Sequence, residues 1–171
     1  MKHVSLALCA ALTLAACSAD MLPETAPEVR TAARNGHPLL QVNTMTVARS
    51  PYQVNRALAA GSAQCLDDRR STRTYVRGSA YGPQSTSWTN NHMATFRTSG
   101  ARGELVIENH LDGALLLNGG SDNTAVQYVV DTVPVAGGTQ VTTYGARIGY
   151  GDLTKAVREW AEGGPIRCPR L

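Results

Sequence analysis

The sequence predicts an α+β domain, with an antiparallel sheet of about five to seven strands and two helices packed on one of its faces. Three stretches carry that expectation. Residues 104–112 alternate: Leu105, Ile107, Asn109 and Leu111 lie on a mostly apolar face, and Glu104, Glu108, His110 and Asp112 on a polar one. That is the pattern of a strand in a sheet with one wet side. Ser50-Pro51 opens a helix, because serine caps free amides and proline fits the first helical position, where its missing N–H costs nothing. A second helical period, Leu153, Val157, Trp160 and Ala161, stops at Gly163-Gly164-Pro165.

Taken in order, residues 18–40 hold three prolines and no sustained apolar period, and read as a tether, with a short helix around Glu28–Arg34 as the one local exception. Alternation from Leu40 to Ala48 predicts a first strand. Val54, Ala57, Leu58 and Gly61 give the first helix a small apolar face that suits close packing on a sheet, and the helix ends near Cys65. Strands follow at Arg73–Arg77, Met93–Thr98 and 104–112, with Gly100-Ala101-Arg102-Gly103 as a hairpin turn between the last two. Gly82–Asn91 reads as a polar loop carrying Trp88. A short strand is expected at Ala114–Leu117, then longer ones at Ala125–Val135 and Gln140–Ile148, before the closing helix capped by Asp152. The order β-α-β-rich-α gives an antiparallel sheet with helices to one side.

The first sixteen residues join Lys2 to a short apolar run that is too brief to span a bilayer and reads as an export signal. The segment Leu14-Ala15-Ala16-Cys17 that ends it resembles the lipobox of bacterial lipoproteins. The resemblance covers only about the first seventeen residues. It implies cleavage before Cys17, diacylglyceryl attachment to the Cys17 sulfur and a permanent membrane anchor. Ser18 in place of aspartate implies sorting to the outer membrane. The expected organisation is a signal over 1–16, a lipidated N-terminus and tether over 17–40, and one domain over 41–171.

Removing the signal's single lysine takes the net charge from +3 to +2, too little to argue for nucleic acid. With Cys9 lost in the signal and Cys17 lipidated, Cys65 and Cys168 remain as an even pair in an oxidising compartment, and a disulfide between them is expected. Neither lies in a Cys-x-x-Cys redox motif.

Little of the chain suggests catalysis. No Gly-x-Ser-x-Gly elbow accompanies the mature histidines His37, His92 and His110, and Asn118-Gly119-Gly120 lacks the lysine of a phosphate loop. Glu108, His110 and Asp112 are metal-ligand types on one strand face, but a solvated face explains them better. Arg69, Arg70, Arg73 and Arg77 form the strongest charge cluster, suited to acidic headgroups or a polyanionic envelope polymer, or simply to a guarded strand edge. Trp88, in the Gly82–Asn91 loop, is a separate candidate surface contact.

The element order also loosely resembles a helix-grip arrangement, and the stretch Ala48-Arg49-Ser50-Pro51-Tyr52-Gln53-Val54 leading into the first helix contributes to that likeness. This implies a hydrophobic pocket between helices and sheet, for which Val76, Phe96 and Val129 are the expected lining. The leading expectation is a non-catalytic lipoprotein on the periplasmic face of the outer membrane, with no metal or cofactor, that meets an envelope protein partner. The rival expectation is a carrier of a hydrophobic ligand.

Overall fold

A computed structural model describes residues 23–66, 69–79, 82–113 and 123–170. The elements are α1 (Ala26–Arg34), β1 (Leu40–Val47), α2 (Pro51–Cys65), β2 (Arg69–Ser79), β3 (Gly82–Ser99), β4 (Arg102–Gly113), β5 (Asn123–Val135), β6 (Gly138–Ala146) and α3 (Gly151–Glu162). The strands form one antiparallel sheet in the order β1-β6-β5-β4-β3-β2. The chain is therefore α+β, with three helices where two were expected. Among the described residues no helix is long and apolar enough to cross a membrane.

α2 begins where Ser50-Pro51 predicts. Ser50 accepts from the Gln53 N–H, and the Gln53 side chain accepts the Ser50 N–H in return, closing a capping box. Its buried residues Val54 and Leu58 share a core with Leu153, Val157 and Trp160 of α3 and with Leu105, Ile107, Val130 and Val141 of the sheet. Gly61 lets the two helices meet closely: a Cβ there would lie 2.4 Å from the Trp160 ring. α3 starts at Tyr150 without a side-chain cap, so Asp152 lies in its first turn and is not the N-cap. Its last carbonyls are met by Arg49, whose guanidinium donates to Ala161 O at 2.8 Å and to Trp160 O at 3.3 Å. A cation there also complements the negative end of the helix dipole. Gly163, at φ 86°, supplies the left-handed turn that ends the helix.

Residues 23–40 are not a free tether. Thr25 and Glu28 form a capping box that starts α1, and Val29 and Ala33 bury against Leu40, Val126, Val129 and Tyr144 on the sheet face opposite α2 and α3. Arg30 fastens the helix further, donating to Asp131 at 2.8 and 2.6 Å and also to Glu104. Hydrogen bonding to Asp131 pushes the Arg30 pKa still higher, so this cation stays charged at any working pH. Arg34 donates to the Tyr144 hydroxyl at 2.6 Å. The β4–β5 register shifts between Ile107 and Glu108, and next to that irregularity Val126 N–H donates to Pro23 O at 3.1 Å. The chain is thus pinned to the sheet from Pro23 onward.

Gly82–Asn91, expected as a loop, is the first half of the 18-residue strand β3. The expected strand at Ala114–Leu117 lies outside the described residues.

On the α2–α3 side, Tyr128 and Tyr150 stack with ring centroids 5.7 Å apart, and Tyr128 Oη shares a 2.8 Å hydrogen bond with Thr154. Burial pushes both phenols up, Tyr150 to about 12 from an ordinary value near 10. A raised acid pKa means that the folded state holds its proton after the unfolded state has lost it. Stability is therefore full below pH 10 and falls as pH rises from 10 to 12. For Tyr150 the loss is on the order of 2–3 kcal/mol. Urea midpoints measured across that window should fall, and Tyr150→Phe should flatten the slope; equal slopes would show that Tyr150 does not carry it.

Candidate functional site

The sheet positions the candidate surface residues by register. β2 pairs with β3 from Arg69↔His92 to Ser79↔Gly82, and among the described residues β3 pairs with β4 from Trp88↔Gly113 to Ser99↔Arg102. Residues 82–87 of β3 pair with β2 as far as Ser79↔Gly82, and this β2–β3 ribbon forms one edge of the sheet. Alternation puts positions 69, 73, 75 and 77 of β2 on one face, and directly paired residues share a face. Position 73 is paired with 88 and position 69 with 92. Arg69, Arg73, Tyr75, Arg77 and Trp88 thus occupy positions of a single face, and Arg70 a position of the other. His92 is buried and pairs with Asn109, which is buried on the same face as Leu105 and Ile107. The basic and aromatic positions therefore continue the face of the sheet that α2 and α3 cover further along.

Trp88 was legible as a contact candidate only in isolation. Its pairing with Arg73 needs the strand identity of Gly82–Asn91, and there the signal is weak. Gln84-Ser85-Thr86-Ser87 has no apolar alternation, although Thr86, Trp88 and Thr89 are types that favour strands.

The remaining predicted residues fall as follows. Cys65 and Cys168 are joined in a disulfide, with Cα atoms 5.0 Å apart across 103 residues of sequence. It ties the end of α2 to the segment after α3, and Cys17 lies outside the described residues. Glu108 and His110 sit 3.7 Å apart on the α1 side of β4. Among the described residues no three His, Cys, Asp or Glu side chains gather as metal ligands.

The proposed lining of a ligand pocket does not converge. Phe96 packs with the α2–α3 core and Val129 with the α1 core, so the two lie on opposite faces of the sheet. Trp160 and Leu58 are fully buried between helices and sheet, and the gap beside Met45, Val141 and Thr154 is only about 10 Å³. A surface cleft of about 630 Å³ does open between the start of α2 and the β3–β4 turn, lined by Pro51, Tyr52, Ala59, Phe96 and Ala101. Buried Asn55 also lines it and accepts a 2.6 Å hydrogen bond from the buried Thr132 hydroxyl behind, which in turn accepts the Gly103 N–H at 2.7 Å.

No family model matches the chain, and no curated protein matches it. Among solved structures it is similar to protein CV1439 from Chromobacterium violaceum, with a TM-score of 0.38 and 10% identity, over 73% of this chain and 96% of that one.

Proposed function

We propose that this protein is a non-catalytic, membrane-anchored lipoprotein of the periplasmic face of the outer membrane, which displays the β2–β3 ribbon as a binding surface for an anionic envelope component. The observation that carries the reading is the ribbon itself. Three arginine positions, a tyrosine position and a tryptophan position fall on one face of the β2–β3 strand pair at one edge of the sheet. Arginine near an acidic headgroup layer contributes roughly 1 kcal/mol per residue, and tryptophan and tyrosine favour the interfacial zone. The disulfide supports an oxidising compartment, and Leu14-Ala15-Ala16-Cys17 supports the anchor.

The docked helix α1 changes the mechanism expected of the tether. Five residues lie between Cys17 and Pro23, so a lipid on Cys17 allows the domain to stand off by no more than roughly 20 Å, six Cα–Cα steps of extended chain. The domain then lies against the membrane, and the ribbon stays within reach of that surface or of a protein bound to it.

Two measurements test the reading. Radiolabelled palmitate should enter the wild type and not Cys17→Ser, and label retained in the variant would remove the anchor. Residues 18–171, free of lipid, should sediment with phosphatidylglycerol vesicles more than with phosphatidylcholine vesicles, and salt should weaken the association. The triple variant Arg69→Gln, Arg73→Gln, Arg77→Gln should lose it. Equal binding to both vesicles, or an unaffected variant, would remove the ribbon.

The cleft at Phe96 favours a second reading, a carrier of a hydrophobic ligand, because its lining is mostly apolar. Its site would be the surface between α2 and the β3–β4 turn, not the packed interior. A discrete adduct seen in native and lost in denaturing mass spectrometry would favour it.

A further inference from the structure

The two edges of the sheet are protected very differently. Exposed edges invite pairing with other strands, and proteins guard them with charge, proline, bulges or short length. The β2 edge carries Arg69, Arg70, Arg73 and Arg77. The β1 edge, Leu-Gln-Val-Asn-Thr-Met-Thr-Val over Leu40–Val47, has no charged residue, no proline and no glycine. Its register with β6 is continuous from Leu40↔Ala146 to Val47↔Thr139, so no bulge twists it away. Among the described residues, no strand pairs with its outer side. Exposed apolar side chains gather at its start: Leu39 is 50% and Val42 39% exposed. Ile148, 84% exposed, follows Arg147, whose side chain donates to Leu40 O.

We propose that β1 is a dimerisation edge, pairing antiparallel with β1 of a second copy to make a continuous twelve-stranded sheet. The occupant follows from charge and symmetry. A two-fold axis normal to the sheet keeps the α1 layers of both copies on one side and sets residues of like face opposite each other, Asn43 with Asn43 or Thr44 with Thr44. An uncharged strand meets itself without a like-charge pair in any such register. The alternative self-association, β1 of one copy on β2 of the next, would not close and would grow as a fibre. The four arginines of β2 guard that edge, so the pairing stops at two. Exposed Val42 and the neighbouring Leu39 and Ile148 supply the apolar contact that backbone hydrogen bonds alone lack. This inference is independent of the lipid anchor.

Sedimentation velocity of residues 18–171 over a concentration series tests it. The expected result is a concentration-dependent species of twice the monomer mass. Val42→Lys with Thr44→Lys, both at exposed positions, should weaken the dimer at least tenfold, whereas Met93→Lys, on β3 across the sheet, should leave it intact. Hydrogen exchange gives a readout that does not depend on the variants, because β1 amides should become slower to exchange as concentration rises. A monomer at every concentration would overturn the proposal. So would a dimer weakened by Met93→Lys and not by the β1 variant, or one with unchanged β1 exchange.

Discussion

Reduction of the Cys65–Cys168 disulfide, or replacement of both cysteines by serine, should lower folding stability by about 2–5 kcal/mol. The bond closes a loop with a sequence separation of 103. In the loop-entropy treatment such a closure removes nominally about 4–5 kcal/mol of freedom from the unfolded chain, and native domains commonly realise somewhat less. Location reinforces the effect. Cys65 is buried in the main core beside Leu66, and Cys168 sits in a tail that follows α3 and docks Ile166 against the same core. Without the bond no covalent link holds the tail to α2, and α3 keeps its packing on α2 and the sheet and the Arg49 hydrogen bonds to its last carbonyls. A fall of that size corresponds to about 5–15 °C in Tm for a chain of this length. Urea unfolding with and without reductant measures it directly. The midpoint should fall and the m value rise, because an open unfolded chain exposes more surface. An unchanged midpoint after verified reduction would mean that packing alone holds the ends of α2 and α3 together.

Much of this arrangement was legible because the responsible signals are local. Ser50-Pro51 set the start of α2, and Trp160 declared itself core through its spacing from Leu153 and Val157. The cysteine pair followed from the expectation of export and from parity. The misreadings have a common physical cause, which is that their evidence lies across the sheet. α1 carries only Val29 and Ala33 as buried anchors in nine residues, too short to be stable in isolation. Its partners Val126, Val129 and Tyr144 come from strands a hundred residues later. Thr25-x-x-Glu28 was the available local sign, a capping box with Pro27 near its start. The wet face expected of residues 104–112 is half covered for the same reason, since Val106 packs against the α1 core and Glu104 meets Arg30. The first half of β3 escaped notice because a strand without an apolar stripe has no period to detect. The register that pairs Arg73 with Trp88 was therefore beyond sequence reasoning, although each residue was named.

Gly61→Ala should destabilise the fold by about 1–3 kcal/mol, opposite in sign to the usual effect of this substitution. In a helix interior alanine is ordinarily favoured over glycine by roughly 0.5–1 kcal/mol, because glycine loses more backbone freedom on folding. Here the added Cβ would stand 2.4 Å from the Trp160 ring, and 2.5 and 2.8 Å from two further ring carbons. The ring is fully buried among α2, α3 and the sheet, so it has no free space into which to turn. Either α2 and α3 separate or the indole leaves its preferred rotamer, and both disturb packing that also holds Cys65 and Leu58. A double-mutant cycle isolates the contact. Trp160→Ala alone should cost stability through the cavity it leaves, yet in that background Gly61→Ala should cost less, since the ring atoms that block the Cβ are gone. Denaturant midpoints for the wild type, the two single variants and the double variant give the coupling. A coupling near zero would show that Gly61 is tolerated there and not required, and that the close approach of the two helices does not depend on it.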